Sequence, residues 1–159
     1  MRISFGYDDV AMAVKPIPDG YHAVTPYLVV DDAAGLMNFL REAFAAVEVE
    51  RMVGPAGKVQ HGEVRIGDSI VMLGQSRDEW KARPGMLYLY VENVDAVYQR
   101  ALQAGATSIR EVHDEFYGDR SGGVLDAYGN YWFIATRTED LSREELQRRA
   151  DALWAKQSS

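Results

Sequence analysis

Hydrophobic and polar positions change period along the first half of the chain, and each change predicts a new element. One apolar stripe at the helical spacing i, i+3, i+4, i+7 is formed by Leu36, Phe39, Leu40 and Ala43. We therefore expect a helix over residues 33–45. An apolar run at 24–30 predicts a strand before it, and three strands follow at 47–53, 59–66 and 69–73, with glycine-containing turns between them.

The same order returns in the second half, after a polar segment that contains Pro84. A strand is predicted at 86–91 and a helix at 95–104, with Gly105 at its C-terminal end. The apolar stripe of this helix consists of Val94, Val97, Tyr98, Ala101 and Leu102. Three further strands are predicted at 108–112, 122–125 and 131–136. Each half therefore has the order βαβββ.

The register of the two halves indicates an internal duplication. The strand starting at Tyr27 matches the strand starting at Tyr88, 61 positions later, as Tyr-Leu-Val-Val-Asp against Tyr-Leu-Tyr-Val-Glu. Near the end of each half, Gly67-Asp68-Ser69 matches Gly129-Asn130-Tyr131 at a separation of 62. Two anchors at nearly one separation favour a repeat over chance similarity. The predicted fold class is α+β: two tandem βαβββ modules that form a cupped mixed sheet, plus a C-terminal helix.

The modules set the expected domain organisation. We expect one domain at 23–137, made of modules at 23–74 and 86–137 with a linker at 75–85. Residues 1–22 form an N-terminal arm, rich in turn residues near its end, that lies over the domain or over a partner. Residues 138–159 hold the C-terminal helix, which begins at the capping box Ser142-Arg143-Glu144-Glu145.

Composition and charge exclude several classes of function. The formal net charge is −7 and the pI is about 4.9, which disfavours a nucleic-acid partner because phosphate binding uses basic surfaces. There is no cysteine, hence no disulfide and no thiolate metal site. No apolar stretch approaches the roughly 18 residues of a membrane span, and the N-terminus is unlike a signal peptide. A cytoplasmic protein with no membrane partner is expected.

Several motifs resemble the vicinal oxygen chelate superfamily, which includes glyoxalase I, extradiol dioxygenases, and fosfomycin and bleomycin resistance proteins. The matching segments are His61-Gly62-Glu63-Val64-Arg65-Ile66-Gly67-Asp68-Ser69, Tyr88-Leu89-Tyr90-Val91-Glu92-Asn93-Val94-Asp95 and Phe116-Tyr117-Gly118-Asp119-Arg120-Ser121-Gly122-Gly123. The turn Asp126-Ala127-Tyr128-Gly129-Asn130 also fits the superfamily pattern, with Ala127 in place of the usual proline. The segments are most similar to the PhnB-like branch. The resemblance is specific for the fold. It does not identify an activity, because proteins of this fold carry out many different reactions.

Enzymes of this superfamily hold a divalent metal with His and Glu side chains on the first and last strand of each module. Matching the modules places these positions at Thr25 and Met86 on the first strands and at Val71 and Phe133 on the last strands. None of the four is a ligand for a catalytic divalent cation, which needs imidazole or carboxylate donors. No cofactor is therefore predicted, and the metal position is expected to be replaced by another kind of surface.

Strand parity indicates what that surface is, because alternate residues share a face. If Thr25 and Met86 face the cup, then Tyr27, Tyr88 and Tyr90 do as well, and Leu28, Val30, Leu89 and Val91 pack under the helices. On the last strands, the same argument turns Ser69, Val71, Leu73, Tyr131 and Phe133 inward. The predicted cup is apolar and aromatic with phenol hydroxyls, which suits a flat, partly polar organic ligand. The alternative is that these aromatics only fill the concave face as core.

Three polar residues, His61, Glu63 and Arg65, share one face of their strand, opposite to Val64 and Ile66. They are predicted to form the polar wall of the cup, with His61 and Glu63 as candidates for acid–base catalysis and Arg65 for ligand binding. A solvated strand face is the alternative. A divalent metal at His61 and Glu63 is a further alternative, and it would lack a third protein ligand.

Two loops carry weaker signals. Asp119 and Arg120 could orient a ligand or could only fix their loop, and Trp80 in the linker could cover the cup or could simply be exposed.

The leading functional hypothesis is a metal-free binding protein of the bleomycin-resistance type. It would be a homodimer that holds an aromatic or hydrophobic small molecule. The alternative is an enzyme of the superfamily, a glyoxalase-like lyase or isomerase or a dioxygenase, that uses His61 and Glu63 with or without a metal. A third possibility is an interaction module in which the N-terminal arm and the C-terminal helix matter more than the cup.

Overall fold

Eight strands form two four-stranded mixed sheets, one for each module. The computed structural model describes residues 13–158, so residues 1–12 of the predicted arm and Ser159 lie outside the described residues. The first sheet has the order β1-β4-β3-β2 and contains β1 (Tyr27–Val30), β2 (Val47–Val53), β3 (Val59–Ile66) and β4 (Ser69–Gln75). The second has the order β5-β8-β7-β6 and contains β5 (Met86–Tyr90), β6 (Thr107–Asp114), β7 (Asp119–Leu125) and β8 (Tyr131–Arg137).

The first strand of each module pairs in parallel with its last strand, and the other pairs are antiparallel. A parallel pair needs a crossover, which the helix of each module supplies: α1 (Ala33–Phe44) in the first and α2 (Val94–Gln103) in the second. The predicted two-module α+β fold is confirmed.

The helices begin at matched caps. The Asp32 carboxylate accepts a 2.9 Å hydrogen bond from Gly35 N, and 61 positions later the Asn93 side chain accepts a 3.1 Å bond from Ala96 N. The predicted C-terminal helix is α3 (Arg143–Gln157), and its cap Ser142 accepts a bond from Glu145 N. No helix in the described part of the chain is long and apolar enough to cross a membrane.

The hydrophobic core lies between the helices and one face of each sheet. Its fully buried members include Val30, Leu36, Leu40, Leu73, Trp132 and Ile134. The two modules meet through α1 and α2, where the Phe44 ring lies 4.9 Å from the Trp132 ring and Arg100 Nε donates a 2.8 Å bond to the carbonyl of Ala43. Within residues 13–158 no helix packs against the other face of either sheet, and we call it the open face.

The orientation predicted for the last strand of the first module was wrong. Met72, and not Val71, lies opposite Tyr27, just as Phe133 lies opposite Tyr88. Val71 and Leu73 belong to the buried core under α1, and Ser69 shares their parity. The two modules therefore keep a separation of 61 through their last strands, and Gly67 and Gly129 are not equivalent.

The physical reason is the preceding turn. In the first module only two residues separate Ile66 from Ser69, whereas five separate Leu125 from Tyr131 in the second. Aligning the glycines of two different turns shifts the strand by one residue, and a shift of one residue exchanges its two faces.

Candidate functional site

The open face of the second module is aromatic. Met86, Tyr88 and Tyr90 project from β5, and Tyr131 and Phe133 lie opposite Met86 and Tyr88 on β8. The rings of Tyr88 and Phe133 stack with centroids 6.5 Å apart and planes inclined by 13°. Tyr88 remains 44% exposed and Tyr90 56% exposed, so this surface is available to a ligand or a partner.

A buried carboxylate orders the phenols of that surface. Asp119, at the start of β7, is 1% exposed and accepts hydrogen bonds of 3.0 Å from Tyr88 Oη and 2.8 Å from Tyr90 Oη on one oxygen. Its other oxygen lies 3.7 Å from Arg137 Nε. Since both phenols give their protons to Asp119, each phenol oxygen can only accept further hydrogen bonds, and the Tyr117 hydroxyl already lies 3.3 Å from Tyr88 Oη.

The pKa values of these phenols follow from the same contacts. Burial, together with hydrogen bonds to Tyr117 and Asp119, raises the pKa of Tyr88. The hydrogen bond to Asp119, assisted by burial, raises the pKa of Tyr90. Both groups are therefore neutral phenols across the physiological range.

An arginine supplies the cationic part of the open face. Arg110 on β6 lies 5.4 Å from the centroid of the Phe133 ring, within the range of a cation–π contact. Its Nη2 lies 2.7 Å from Glu115 Oε1 and donates a 2.9 Å bond to Ser121 Oγ. These contacts hold the guanidinium over the ring, so a flat ligand would meet a rigid aromatic and cationic surface.

The open face of the first module carries a chain of hydrogen-bonded polar side chains. Tyr27 Oη lies 3.2 Å from His61 Nδ1, and His61 Nε2 lies 3.0 Å from Glu63 Oε1. The other Glu63 oxygen accepts a bond from the hydroxyl of Tyr21, which lies on the segment before β1. The described part of the predicted arm thus covers the first module, and it buries Glu63 beneath it.

Glu63 is the anionic centre of this chain. Burial raises the pKa of its carboxyl, but hydrogen bonds from Tyr21 and His61 outweigh that effect and leave the pKa below its ordinary value. Only 12% of the Glu63 side chain and 20% of the His61 side chain are exposed. The structure therefore brings the two predicted catalytic residues together, as a buried ionised carboxylate against an imidazole.

Of the other predicted site residues, Met86 lies on the aromatic surface and Thr25 shares a pocket with Tyr21 and Glu63, whereas Arg65 and Val71 lie apart from both clusters. Thr25 precedes β1 and donates to the carbonyl of His22. Arg65 is exposed, and its guanidinium donates to the carbonyl of Gly67. Met86 is 71% exposed at the start of β5. Val71 is buried. It forms part of the wall of an open groove of about 940 Å³, which runs along β5 and is lined by residues of both modules.

The superfamily metal does not fit the donors found at its position. With the corrected register the four equivalent side chains are Thr25, Met72, Met86 and Phe133, and a catalytic divalent cation prefers none of them. Among residues 13–158, no three His, Asp or Glu side chains are grouped so that they could hold a metal ion.

Sequence reasoning missed three of these residues as site members. Asp119 was considered either to orient a ligand or to fix its loop, not as the acceptor for the β5 phenols, and Arg110 and Tyr21 did not appear at all. No sequence signal points to Tyr21 as the partner of Glu63, since the two are 42 positions apart and belong to different kinds of segment.

The repeated βαβββ modules with one open face per sheet define the class of this protein. The family model of the Glyoxalase/Bleomycin resistance protein/Dioxygenase superfamily matches residues 20–134, so the chain belongs to that superfamily. The resemblance stated from the sequence is confirmed at this level.

Among individual proteins, the chain is 38% identical over 151 residues to the uncharacterized protein Rv0887c of Mycobacterium tuberculosis, covering 88% of this chain and 85% of that one. TioX from Micromonospora sp. ML1 has a similar structure, with a TM-score of 0.64, 21% identity, and coverage of 72% of this chain and 97% of that chain. The PhnB protein from Bacillus cereus gives a TM-score of 0.60 at 19% identity, covering 72% of this chain and 99% of that chain.

Proposed function

We propose that this protein binds a small aromatic molecule on the open face of its second module, without a metal. The observation that carries the proposal is the stacked pair of Tyr88 and Phe133, held rigid by the buried Asp119 on one side and by Arg110 on the other. A rigid aromatic surface with a few fixed polar groups is typical of a small-molecule site, because it loses little side-chain entropy on binding.

The polar groups indicate which ligands fit. The phenol oxygens of Tyr88 and Tyr90 act as acceptors because their protons are committed to Asp119. A flat ligand that carries a hydroxyl or amine donor would pair with them, while its ring lies against Tyr88 and Phe133.

We also propose two finer assignments. The motif that contains His61 and Glu63 supports the PhnB-like branch of the superfamily. The lack of cysteine in the sequence is compatible with a location in the cytoplasm.

A second copy of the chain would complete the site. Aromatic and apolar side chains remain exposed on the open faces of both modules, including Met52, Met86, Tyr90 and Ile109. Contiguous apolar surface of this kind is covered by a partner in many proteins, and a homodimer would cover it with the same chain. Light scattering after size exclusion tests this directly, and a strictly monomeric protein at tens of micromolar would contradict it.

Calorimetry with three matched probes tests ligand binding: 2-naphthol, 2-naphthylamine and 2-naphthoate. We expect the two donor-bearing probes to bind more tightly than the carboxylate. Phe133→Leu keeps the apolar volume but removes the ring, and it should weaken binding by about tenfold, the scale of one aromatic contact. Trp154→Ala, an exposed residue on α3, is the control and should change nothing.

Two outcomes would contradict the proposal. One is an affinity unchanged by Phe133→Leu and by Tyr88→Ala, which would place the ligand elsewhere. The other is stoichiometric metal in untagged protein, found by elemental analysis and lost on His61→Ala, which would favour an enzyme with a relocated metal.

A further inference from the structure

The hydrogen-bonded side chains Tyr27, His61, Glu63 and Tyr21 form a chain of hydrogen bonds with a defined direction of proton donation. Tyr21 gives its proton to Glu63, and the carboxylate is ionised at neutral pH. The proton on the neutral imidazole then belongs on Nε2, which faces the other Glu63 oxygen at 3.0 Å. His61 Nδ1 is left as an acceptor, and the Tyr27 hydroxyl lies 3.2 Å from it.

Tyr27 is the exposed end of this chain. Tyr27 is 50% exposed, whereas only 20% of the His61 side chain and 12% of the Glu63 side chain are exposed. Its ring lies against Gly74. A Cβ added at Gly74 would lie 2.6 Å from Tyr27 Oη and would clash with the phenol. The glycine therefore permits the approach of the phenol to His61.

A groove of about 500 Å³ adjoins Tyr27 on its exposed side. Trp80 and Val29 form apolar walls of this groove, and Lys81 and Arg83 are among its charged residues. Trp80 is 57% exposed and offers its ring to a flat group. A small aromatic compound that lies on Trp80 would place its polar substituent toward the Tyr27 hydroxyl.

We infer that Tyr27 is a reactive residue, activated by His61 and Glu63, toward small aromatic carbonyl compounds in the Trp80 groove. This activity goes beyond ligand binding by the second module and does not depend on it. In the step, the Tyr27 oxygen attacks the carbonyl carbon while its proton passes to His61 Nδ1. With an aryl ester, the bond from Tyr27 to the acyl group forms, the bond to the aryl oxygen breaks, and an arylate ion leaves. Glu63 stabilises the resulting imidazolium, as the carboxylate does in a serine triad.

The probe is 4-nitrophenyl acetate with the full-length protein, and the site of acetylation is read by peptide mapping. We expect Tyr27 to be acetylated at least about tenfold faster than Tyr131. This factor is smaller than the roughly 10²–10⁴-fold rate acceleration that a well-positioned general base contributes.

Three variants separate activation from exposure. His61→Gln should abolish the excess rate, and Glu63→Gln should lower the rate while leaving Tyr27 exposed. Gly74→Ala keeps all three reacting groups but displaces the phenol from His61, so it should also remove the excess rate. The matched control is His113→Gln, which changes an exposed histidine that takes no part in the hydrogen bonds from Tyr27 to Tyr21.

Nitrogen-15 chemical shifts of His61 provide a readout that does not rely on activity. Above neutral pH they should report the tautomer protonated on Nε2, and Tyr27→Phe should shift only Nδ1. Equal acetylation of Tyr27 and Tyr131, an excess rate retained in folded His61→Gln, or the opposite tautomer would each overturn the inference. None of these outcomes bears on naphthol binding at Tyr88 and Phe133, so the two proposals fail separately.

Discussion

Tyr90 donates a 2.8 Å hydrogen bond to Asp119, a carboxylate 29 positions later in the chain that is 1% exposed. A buried charge without partners would be strongly unfavourable, so the phenols on β5 and Arg137 on β8 are what make this carboxylate tolerable. The interaction therefore couples the binding surface to the packing of β7 against its neighbours.

Replacing Asp119 with asparagine should lower the pKa values of Tyr88 and Tyr90 toward the ordinary phenol value. In the wild type, the carboxylate bond raises the pKa of Tyr90, and it adds to the effect of burial at Tyr88. Ultraviolet titration of phenolate absorbance between about pH 9 and 12 measures this. Asp95→Asn, which alters an exposed pair with Arg120, is the control.

The sign of the alkaline stability change follows from the same shift. A folded-state pKa above the unfolded value means that the native protein holds protons that the unfolded chain has lost. Stability from Tyr88 and Tyr90 is therefore complete below about pH 10 and declines as pH rises above it. Identical alkaline titrations of the Asp119→Asn variant and the wild type would show that the carboxylate does not control these phenols.

Glu63 should make the protein less stable in acid. Its folded-state pKa lies below the ordinary value of 4.5, because the bonds from Tyr21 and His61 outweigh burial. Its contribution is thus fully present above that value and is lost as pH falls through the lower folded-state pKa. Urea unfolding between about pH 5 and 3 should show a steeper decline for wild type than for Glu63→Gln.

The matched control is Glu144→Gln, on the exposed first turn of α3, which should decline as steeply as wild type. Parallel curves for wild type and Glu63→Gln would mean that Glu63 is not held ionised by its neighbours.

Local signals were sufficient for most of the fold. The bounds of β2 and β3 are those predicted from the sequence, because Gly-Pro-Ala-Gly and Gly-Asp mark their ends. The start of β1 was predicted three residues too early, at Val24, which is 85% exposed. Hydrophobicity alone could not separate the apolar approach to the strand from the strand itself.

The candidate site was less predictable, for reasons of geometry. Strand parity placed Tyr27, Tyr88 and Phe133 on the open faces correctly, since alternation is a local property. Val71 was misplaced because its face depends on the length of the preceding turn. The burial of Asp119 depends on phenols 29 and 31 positions away, and no local pattern encodes that distance.

Two glycines that face the helices should differ in their tolerance of alanine. A Cβ at Gly62 would stand 2.5 Å from Met37 Sδ, and a Cβ at Gly122 would stand 2.8 Å from Val112 Cγ2 and 3.0 Å from Tyr98 Cδ2. Methionine is flexible and can move aside. Tyr98 is a rigid ring whose hydroxyl is bound to Ser108, so it cannot.

We therefore expect Gly62→Ala to cost less than about 1 kcal/mol and Gly122→Ala about 2–3 kcal/mol, in the range found for overpacked cores. Chemical denaturation gives both values. Equal costs at the two positions would show that the modules do not differ in the rigidity of their helix contacts.

The turn before β8 should depend strongly on Asp126. This carboxylate is 3% exposed and accepts bonds of 2.8 Å from Tyr128 N, 2.9 Å from Asn130 N and 2.9 Å from Trp132 Nε1. Asp126→Ala would leave several buried donors without an acceptor, and each such donor costs about 1–3 kcal/mol. We expect a total loss of about 3 kcal/mol in the free energy of unfolding, measured with urea.

Asp68 provides the comparison, because it lies in the corresponding turn of the first module and is exposed. Asp68→Ala should change stability by less than about 0.5 kcal/mol, as is usual for surface sites. The longer turn in the second module is thus built around one carboxylate, whereas the two-residue turn in the first relies on backbone conformation at Gly67, with a φ of 58°. If the two substitutions proved equally mild, water would have to satisfy the donors around Asp126, and Trp132 would have to be less buried in solution.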